Sequence, residues 1–120
     1  MTTVRIRDLL GRRILVTRAS ARSIKPILAA AIERAEHQLD LGFTAIAGAA
    51  PSFLDETMAV IDEITSVTDQ QRTKVRLLNL PPRLWTNVVK AGKRHGLMLE
   101  RQSGAVVTIS KPERTEPNAK

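Results

Sequence analysis

The sequence predicts an α/β fold: a single small domain in which about three helices pack on a mixed, largely parallel sheet of about four to six strands. The chain has 120 residues, 42% of them apolar, enough for one compact core and not for two. Apolar residues recur with period two in some segments and with helical spacing in others, and the two kinds of segment alternate. We expect the domain to span residues 1–110, followed by a polar, disordered tail over residues 111–120.

The first third is expected to begin with two strands. Apolar and polar side chains alternate over residues 4–9 with the period of a half-exposed strand. Gly11 then permits a turn, and residues 13–18 (RILVTR) are typical of a strand whose middle is buried.

A helix and a third strand should follow. Ser20 or Ser23 can cap the helix, which we expect to run to about Glu36. Pro26 fits only in the first helical turn, where its missing N–H has no intrahelical partner. Residues 37–46 are apolar enough for an interior strand.

The chain then breaks at Gly48 to Pro51, and a second helix is predicted over residues 52–64. Ser52 and Asp55 match the capping box, in which each side chain satisfies a free N–H at the helix start.

The last third repeats the alternation. Residues 73–80 predict a fourth strand, Pro82 begins a third helix, and Gly96 supplies its left-handed stop. Two short strands are expected over residues 97–101 and 105–110.

Charge is distributed unevenly along the chain. Residues 1–34 carry eight basic and two acidic side chains, residues 35–69 carry seven acidic and no basic ones, and residues 70–120 carry eleven basic and three acidic ones. The net charge of +7 favours acidic partners or nucleic acid, but the negative middle third partly cancels that attraction.

Composition disfavours several classes of protein. The chain has no Cys, which excludes disulfides and thiolate chemistry. Its longest uncharged stretch, residues 41–54, is too short to cross a bilayer, and early arginines leave no apolar core for a secretory signal. We expect a cytoplasmic protein with no membrane partner. Three aromatic residues, Phe43, Phe53 and Trp85, are too few for a base-stacking platform.

No enzyme site can be assembled from the sequence. Gly42 and Gly48 do not form a phosphate-binding loop, and Ser52 lacks the flanking glycines of a hydrolase nucleophile. We expect structural or surface roles for His37 and His95 rather than metal or acid–base work. The expectation is therefore a non-enzymatic protein without a metal or cofactor.

Two of the predicted helices carry a charged face. On the second helix, four acidic residues in two pairs spaced seven apart form either a solvated surface or a docking stripe for a basic partner. They are Asp55, Glu56, Asp62 and Glu63. The third helix has a basic face that either meets solvent or contacts phosphate or an acidic surface. Its members are Arg83, Asn87, Lys90 and Arg94.

The segment from Phe43 to Glu56, FTAIAGAAPSFLDE, resembles the signature of the STAS-like domain family of uncharacterised bacterial proteins, whose hallmark is Pro-Ser-Phe followed by an acidic pair. Residues 80–96 are similar to the family's closing strand and helix. The family's opening glycine, Ser/Thr-Arg pair and alanine are matched by Gly11, Thr17, Arg18 and Ala21. The resemblance covers about residues 4–110 and implies the STAS-like fold of anti-sigma-factor antagonists.

This resemblance implies a regulatory module that switches protein partners. In antagonists of this fold, the serine equivalent to Ser52 is phosphorylated by an ATPase-fold kinase that doubles as an anti-sigma factor, and the modification ends binding. The implied partner is thus a histidine-kinase-type ATPase, with Ser52 as the candidate phosphoacceptor. The candidate partner-binding residues around it are Gly48, Pro51, Phe53, Asp55 and Glu56.

One position departs from the family pattern. An acidic residue usually ends the central strand about ten positions before the serine, whereas here that position is Gly42 and the nearest acid is Asp40. Two interpretations of Ser52 stay open: a regulated contact, or a helix cap that contributes roughly 1 kcal/mol.

An alternative function is that of a nucleic-acid-associated basic protein. Exposed cations on the first strand and on the third helix would contact phosphates, with an affinity that falls steeply with salt. The candidate residues are Arg5, Arg7, Arg83, Lys90 and Arg94.

Overall fold

A mixed sheet and a layer of helices form the structure, a computed structural model that describes residues 2–11, 14–15, 17–34, 38–67, 74–102 and 106–110. The strands are β1 (Thr2–Arg5), β2 (Ile14–Leu15), β3 (Gln38–Gly42), β4 (Gly48–Ala49), β5 (Lys74–Leu78), β6 (Met98–Arg101) and β7 (Val107–Ser110). The helices are α1 (Ile6–Leu10), α2 (Arg18–Ser23), α3 (Lys25–Arg34), α4 (Pro51–Val67) and α5 (Trp85–Arg94). The predicted tail over residues 111–120 lies outside the described residues.

Five strands form the main sheet in the order β1-β3-β5-β7-β6. The first three are parallel to one another, and β7 is antiparallel to both of its neighbours, β5 and β6. The predicted α/β fold with a mixed sheet is therefore confirmed. Strands β2 and β4 form a separate two-stranded parallel sheet.

The period-two pattern of the strands places the apolar side chains on one face of the main sheet. Val4, Leu41 and Leu77 lie side by side in the register of β1, β3 and β5, and all three are buried. Alternate positions such as Arg5 and Lys74 are exposed. One face of the sheet thus contributes to the core and the other is polar.

Helix α4 is the centre of the helical layer, because it packs against α2 and α3 on one side and α5 on the other. An apolar stripe at helical spacing runs along α4 and consists of Leu54, Met58 and Ile61, which are all buried in the core.

The strand predicted over residues 4–9 is wrong beyond Arg5. Residues Ile6–Leu10 form α1, and the N–H of Gly11, at φ +66°, donates to the carbonyl of Arg7 at 2.7 Å. Gly11 therefore ends a helix instead of joining two paired strands. The pattern was ambiguous because Ile6 and Leu10 also have the i, i+4 spacing of one helical face.

The first predicted helix is divided at Ile24 into α2 and α3. Its cap is Thr17, whose Oγ1 accepts the N–H of Ser20 at 3.0 Å, and not Ser20 or Ser23. Arg18 therefore lies in a helix, and the second strand ends before Thr17 instead of running to Arg18. Pro26 does fall in the first turn of α3, as its missing N–H requires.

The second predicted helix exists but begins one residue early and extends further. Pro51 is the first residue of α4, and the carbonyl of Ala50 accepts the N–H of Leu54 at 3.1 Å. Ser52 lies inside the helix, so the predicted capping box is not formed, and the carboxylate of Asp55 bonds elsewhere.

The remaining predicted elements are present with shorter bounds. Strand β3 ends at Gly42 instead of residue 46, while the final helix and the two last strands follow the predicted order. Gly96 adopts φ +73° after α5, the left-handed stop expected of it.

A tight turn follows β3 at the carboxyl end of the sheet. The N–H of Ile46 donates to the carbonyl of Phe43 at 3.0 Å, and Ala45 has φ +66° while Thr44 does not have a positive φ. This combination defines a type II turn, in which the position of Ala45 normally belongs to glycine.

The substitution Leu41→Ala should lower the free energy of unfolding by about 2 to 5 kcal/mol, because it opens a cavity in the central strand. Urea denaturation measures the change. Ile27→Ala, at an exposed apolar side chain, is the matched control and should shift stability by no more than about 0.5 kcal/mol. Equal losses in both variants would contradict the placement of the core.

Replacing Ala45 by glycine should raise the free energy of unfolding by roughly 0.5 kcal/mol, since relief of the left-handed strain exceeds the extra chain entropy. Ala47→Gly gains no such relief and should be destabilising. Urea midpoints of the two variants give the comparison, and a loss of stability at both positions would refute the turn geometry.

Candidate functional site

A cluster of ion pairs joins α4 to the helices on both of its sides. We call it the ionic cluster. It consists of Asp55, Glu56 and Glu63 of α4, Arg18, Arg22 and Lys25 of α2 and α3, and Arg94 and His95 at the end of α5. Three acids of the middle third are thereby paired with basic residues from the first and last thirds.

Asp55 is the residue on which both sides of the cluster converge. Arg18 Nη1 donates to its Oδ2 at 2.8 Å, and Arg94 Nε donates to its Oδ1 at 3.0 Å. His95 Nε2 lies 3.1 Å from the same Oδ1. One carboxylate thus links α2 to α5 across the first turns of α4.

Glu56 and Glu63 extend the cluster along α4. Arg22 Nε donates to Glu56 Oε2 at 2.8 Å, and Arg22 Nη1 donates to Glu63 Oε1 at 2.5 Å. Arg18 also reaches Glu56 Oε1 at 3.4 Å, while Lys25 Nζ lies 2.9 Å from Glu63 Oε1. Glu56 and Glu63, which lie two helical turns apart, therefore share Arg22.

The ionic cluster shields its acids more than its bases. The side chains of Asp55 and Glu56 are 15% and 16% exposed, while that of Arg18 is 55% exposed. Hydrogen bonds from Arg18, and then from Arg94 and His95, lower the pKa of Asp55 to about 2. Hydrogen bonds from Arg22 and Lys25 lower the pKa of Glu63 to about 2.

The turn before α4 and the first residues of α4 contain those predicted contact residues that are exposed or half-buried. Pro51 is exposed, Ser52 and Gly48 are half-buried, and Gly48 pairs with Ile14 in the small sheet. Ser52 is one helical turn before Asp55 and therefore shares its side of α4. The backbone of this turn is held in place on one side by β2 and on the other by α4.

Three of the predicted contact residues occupy other roles. Phe53 is 0% exposed and packs in the core, so the prediction that it touches a partner is corrected. Asp55 and Glu56 are mostly covered and bind cations of their own chain, so they form neither a solvated face nor a free docking stripe. A sequence cannot separate these cases, because a core phenylalanine and a contact phenylalanine have the same helical spacing.

Asp40, the displaced acid of the family pattern, is buried within the main sheet. It lies opposite Arg76 of β5, whose Nε and Nη2 donate to its two oxygens at 2.8 Å each. This bidentate pair lowers the pKa of Asp40 and satisfies a carboxylate that is 1% exposed. Its role here is to pair neighbouring strands.

The basic residues of the nucleic-acid alternative are all exposed, but they do not form one group. Arg94 is bound to Asp55, and Arg83 donates to the carbonyl of Ala47. Arg5 ends β1 and Arg7 lies in α1, and β1 is at the opposite edge of the main sheet from β6. Lys90 lies on the exposed face of α5.

Sequence reasoning missed the residues that hold the cluster together. Arg22, Lys25 and the pairing of His95 with Asp55 were not predicted. The sequence feature that indicated such pairing was the charge distribution, in which an acidic third lies between two basic thirds. His37 lies outside the described residues.

Within the ranges that the structure describes, no group of three or more His, Asp or Glu side chains is arranged to hold a metal ion. No helix in those same ranges is long and apolar enough to cross a membrane. Comparisons of the chain with family profiles, with curated proteins and with solved structures return no match.

Acid should destabilise the protein as pH falls from about 4.5 to about 2. The pKa values of Asp55 and Glu63 in the folded protein lie below their ordinary values of 3.8 and 4.5. The stability that these carboxylates contribute is therefore fully present above the ordinary values, and it is lost as the two carboxylates are protonated in the folded protein. Urea midpoints measured between pH 2 and pH 6 test this. Asp55→Asn should flatten the profile, and Asp8→Asn, at an exposed acid, should not; parallel profiles of wild type and Asp55→Asn would contradict the assignment.

Proposed function

We propose that this chain is a non-enzymatic regulatory module that binds a protein partner at the junction of α2 with the start of α4. The contact surface consists of Thr17, Arg18, Pro51 and Ser52, and we call it the α2–α4 edge. Its partner is a protein of the histidine-kinase-type ATPase class, and it works in the cytoplasm. The family resemblance supplies the partner class, and the arrangement of the residues supports the surface.

The bond from Arg18 to Asp55 and Glu56 carries this proposal. The two motifs of the family resemblance, Thr17-Arg18 and the Pro-Ser-Phe segment with its acidic pair, are more than thirty residues apart in the chain. The ion pair brings them to a single surface. The acids are covered while Arg18 remains 55% exposed, so the edge presents a cation, a proline and a hydroxyl-bearing residue.

Phosphorylation of Ser52 would change this edge through electrostatics. A phosphate adds nearly two negative charges at the second residue of α4, where the helix dipole and free N–H groups favour an anion. It would compete with Asp55 for the guanidinium of Arg18, and its charge would repel an acidic partner surface. Binding and release would thus depend on which anion Arg18 pairs with.

A photo-crosslinking amino acid at Pro51 should capture a discrete protein partner in cells that express the chain. The same group at Met98, an exposed apolar position on β6, is the control and should not capture that partner. Identical adducts from the two positions, or none from position 51, would refute the α2–α4 edge as the contact.

Ser52→Glu should weaken binding to the captured partner at least about tenfold, whereas Ser52→Ala should bind like wild type. Incubation with a kinase of the ATPase fold and ATP, followed by mass spectrometry, tests the acceptor itself. Ser23→Ala, which removes an exposed serine of α2, is the matched control and should be labelled like wild type. Equal labelling of Ser52→Ala would exclude Ser52 as the acceptor.

A further inference from the structure

Three chain segments meet at the carboxyl end of the parallel strands, away from the contacts of the ionic cluster. They are the segments that follow β1, β3 and β5. The N–H of Phe43 donates to the carbonyl of Leu78 at 2.8 Å, and Asn79 Nδ2 donates to Thr44 Oγ1 at 2.9 Å. Loops at the ends of strands often carry binding residues, because the sheet holds them in place.

A cleft of about 360 Å³ opens at this place and is lined by Arg7, Ala45, Ile46 and Ala47. This volume lies in the range of small-molecule sites. Through its side chain, Arg7 makes no hydrogen bond or ion pair within the described part of the chain. A guanidinium group thus borders a cleft whose other walls are small or apolar.

Arginine predominates over acid around the cleft. Among the described residues of β1 and of the segments that follow β1, β3 and β5, the charged ones are Arg5, Arg7, Asp8 and Arg83. Arg83 donates to the carbonyl of Ala47, a neutral acceptor that leaves its charge uncompensated. The stem of Arg5 lies along Gly42, where an added side-chain carbon would be 3.6 Å from Arg5 Cγ. Arg7 lines the cleft itself, and Arg83 adjoins it through its bond to Ala47.

Two non-glycine residues in the segments beside the cleft have a left-handed backbone conformation. Ala45 keeps a left-handed φ of +66° in a type II turn, and Asn79, on the next segment, has φ +58°. Non-glycine residues in this region cost free energy, and such positions concentrate at ligand sites.

We propose that the carboxyl edge of the sheet binds a small organic phosphate, with Arg7 as its principal ligand and Arg83 as the residue that fixes the Ala47 wall. A phosphomonoester carries nearly two negative charges at neutral pH, which the positive charges of Arg7 and Arg83 can balance. Guanidinium is the side-chain group best suited to bidentate recognition of phosphate. This site is separate from the α2–α4 edge and does not depend on the function proposed for it.

The binding experiment uses ribose 5-phosphate as the probe and ribose as the uncharged control. Binding is measured from the amide chemical shifts of the full chain. We expect saturable shifts of residues 45–47 with a dissociation constant of about 1 mM or lower, and none with ribose. Arg7→Gln should weaken binding at least about tenfold, and Arg7→Lys, which keeps the charge without the fork, should weaken it less. Lys93→Ala, at an exposed cation of α5, is the matched control and should bind like wild type.

Three results would overturn the proposal. The first is the absence of saturable shifts with ribose 5-phosphate, and the second is equal binding by Arg7→Gln and Lys93→Ala. The third is tight binding of a DNA duplex that ribose 5-phosphate does not displace, which would assign these arginines to a nucleic-acid backbone. Thermal unfolding of Arg7→Gln, an exposed position in α1, verifies that the variant is folded.

Discussion

The convergence of Arg18, Arg94 and His95 on the carboxylate of Asp55 is the constraint on which the helical layer depends. Helix α2 has six residues, only one of which, Ala21, is buried. Burial of a single methyl group cannot hold a short helix on α4. Together with the buried Ile24 that follows the helix, the ion pairs of Arg18 and Arg22 attach α2 to α4 and so position the surface beside Ser52.

This arrangement also explains the charge pattern of the chain. A protein of net charge +7 with a strongly acidic middle third could present two opposed surfaces. Here Asp55, Glu56 and Glu63 of α4 pair with bases contributed by both flanking thirds, so this part of the negative charge is compensated within the helical layer. The cations left over lie elsewhere, including those around the carboxyl edge of the sheet.

The two candidate sites follow from this division of charge. At the α2–α4 edge, an exposed arginine is already paired, so a new anion on Ser52 would act by competition. At the carboxyl edge, Arg7 has no partner in the described part of the chain and borders a cleft, so an anion could bind there without displacing a protein group. The first geometry suits a switch and the second suits a resident ligand.

The sequence by itself determined the mixed α/β fold, the apolar stripe of α4 and the stop at Gly96, because periodicity and a left-handed glycine act within a few residues of the chain. It did not distinguish strand from helix over residues 6–10, where one apolar pattern satisfies both periods. Only the tertiary structure decided that Phe53 is a core residue, that Asp40 pairs with Arg76, and that Asp55 binds cations from two helices. These outcomes depend on contacts between segments that are more than thirty residues apart in the chain, and local sequence patterns do not specify such contacts.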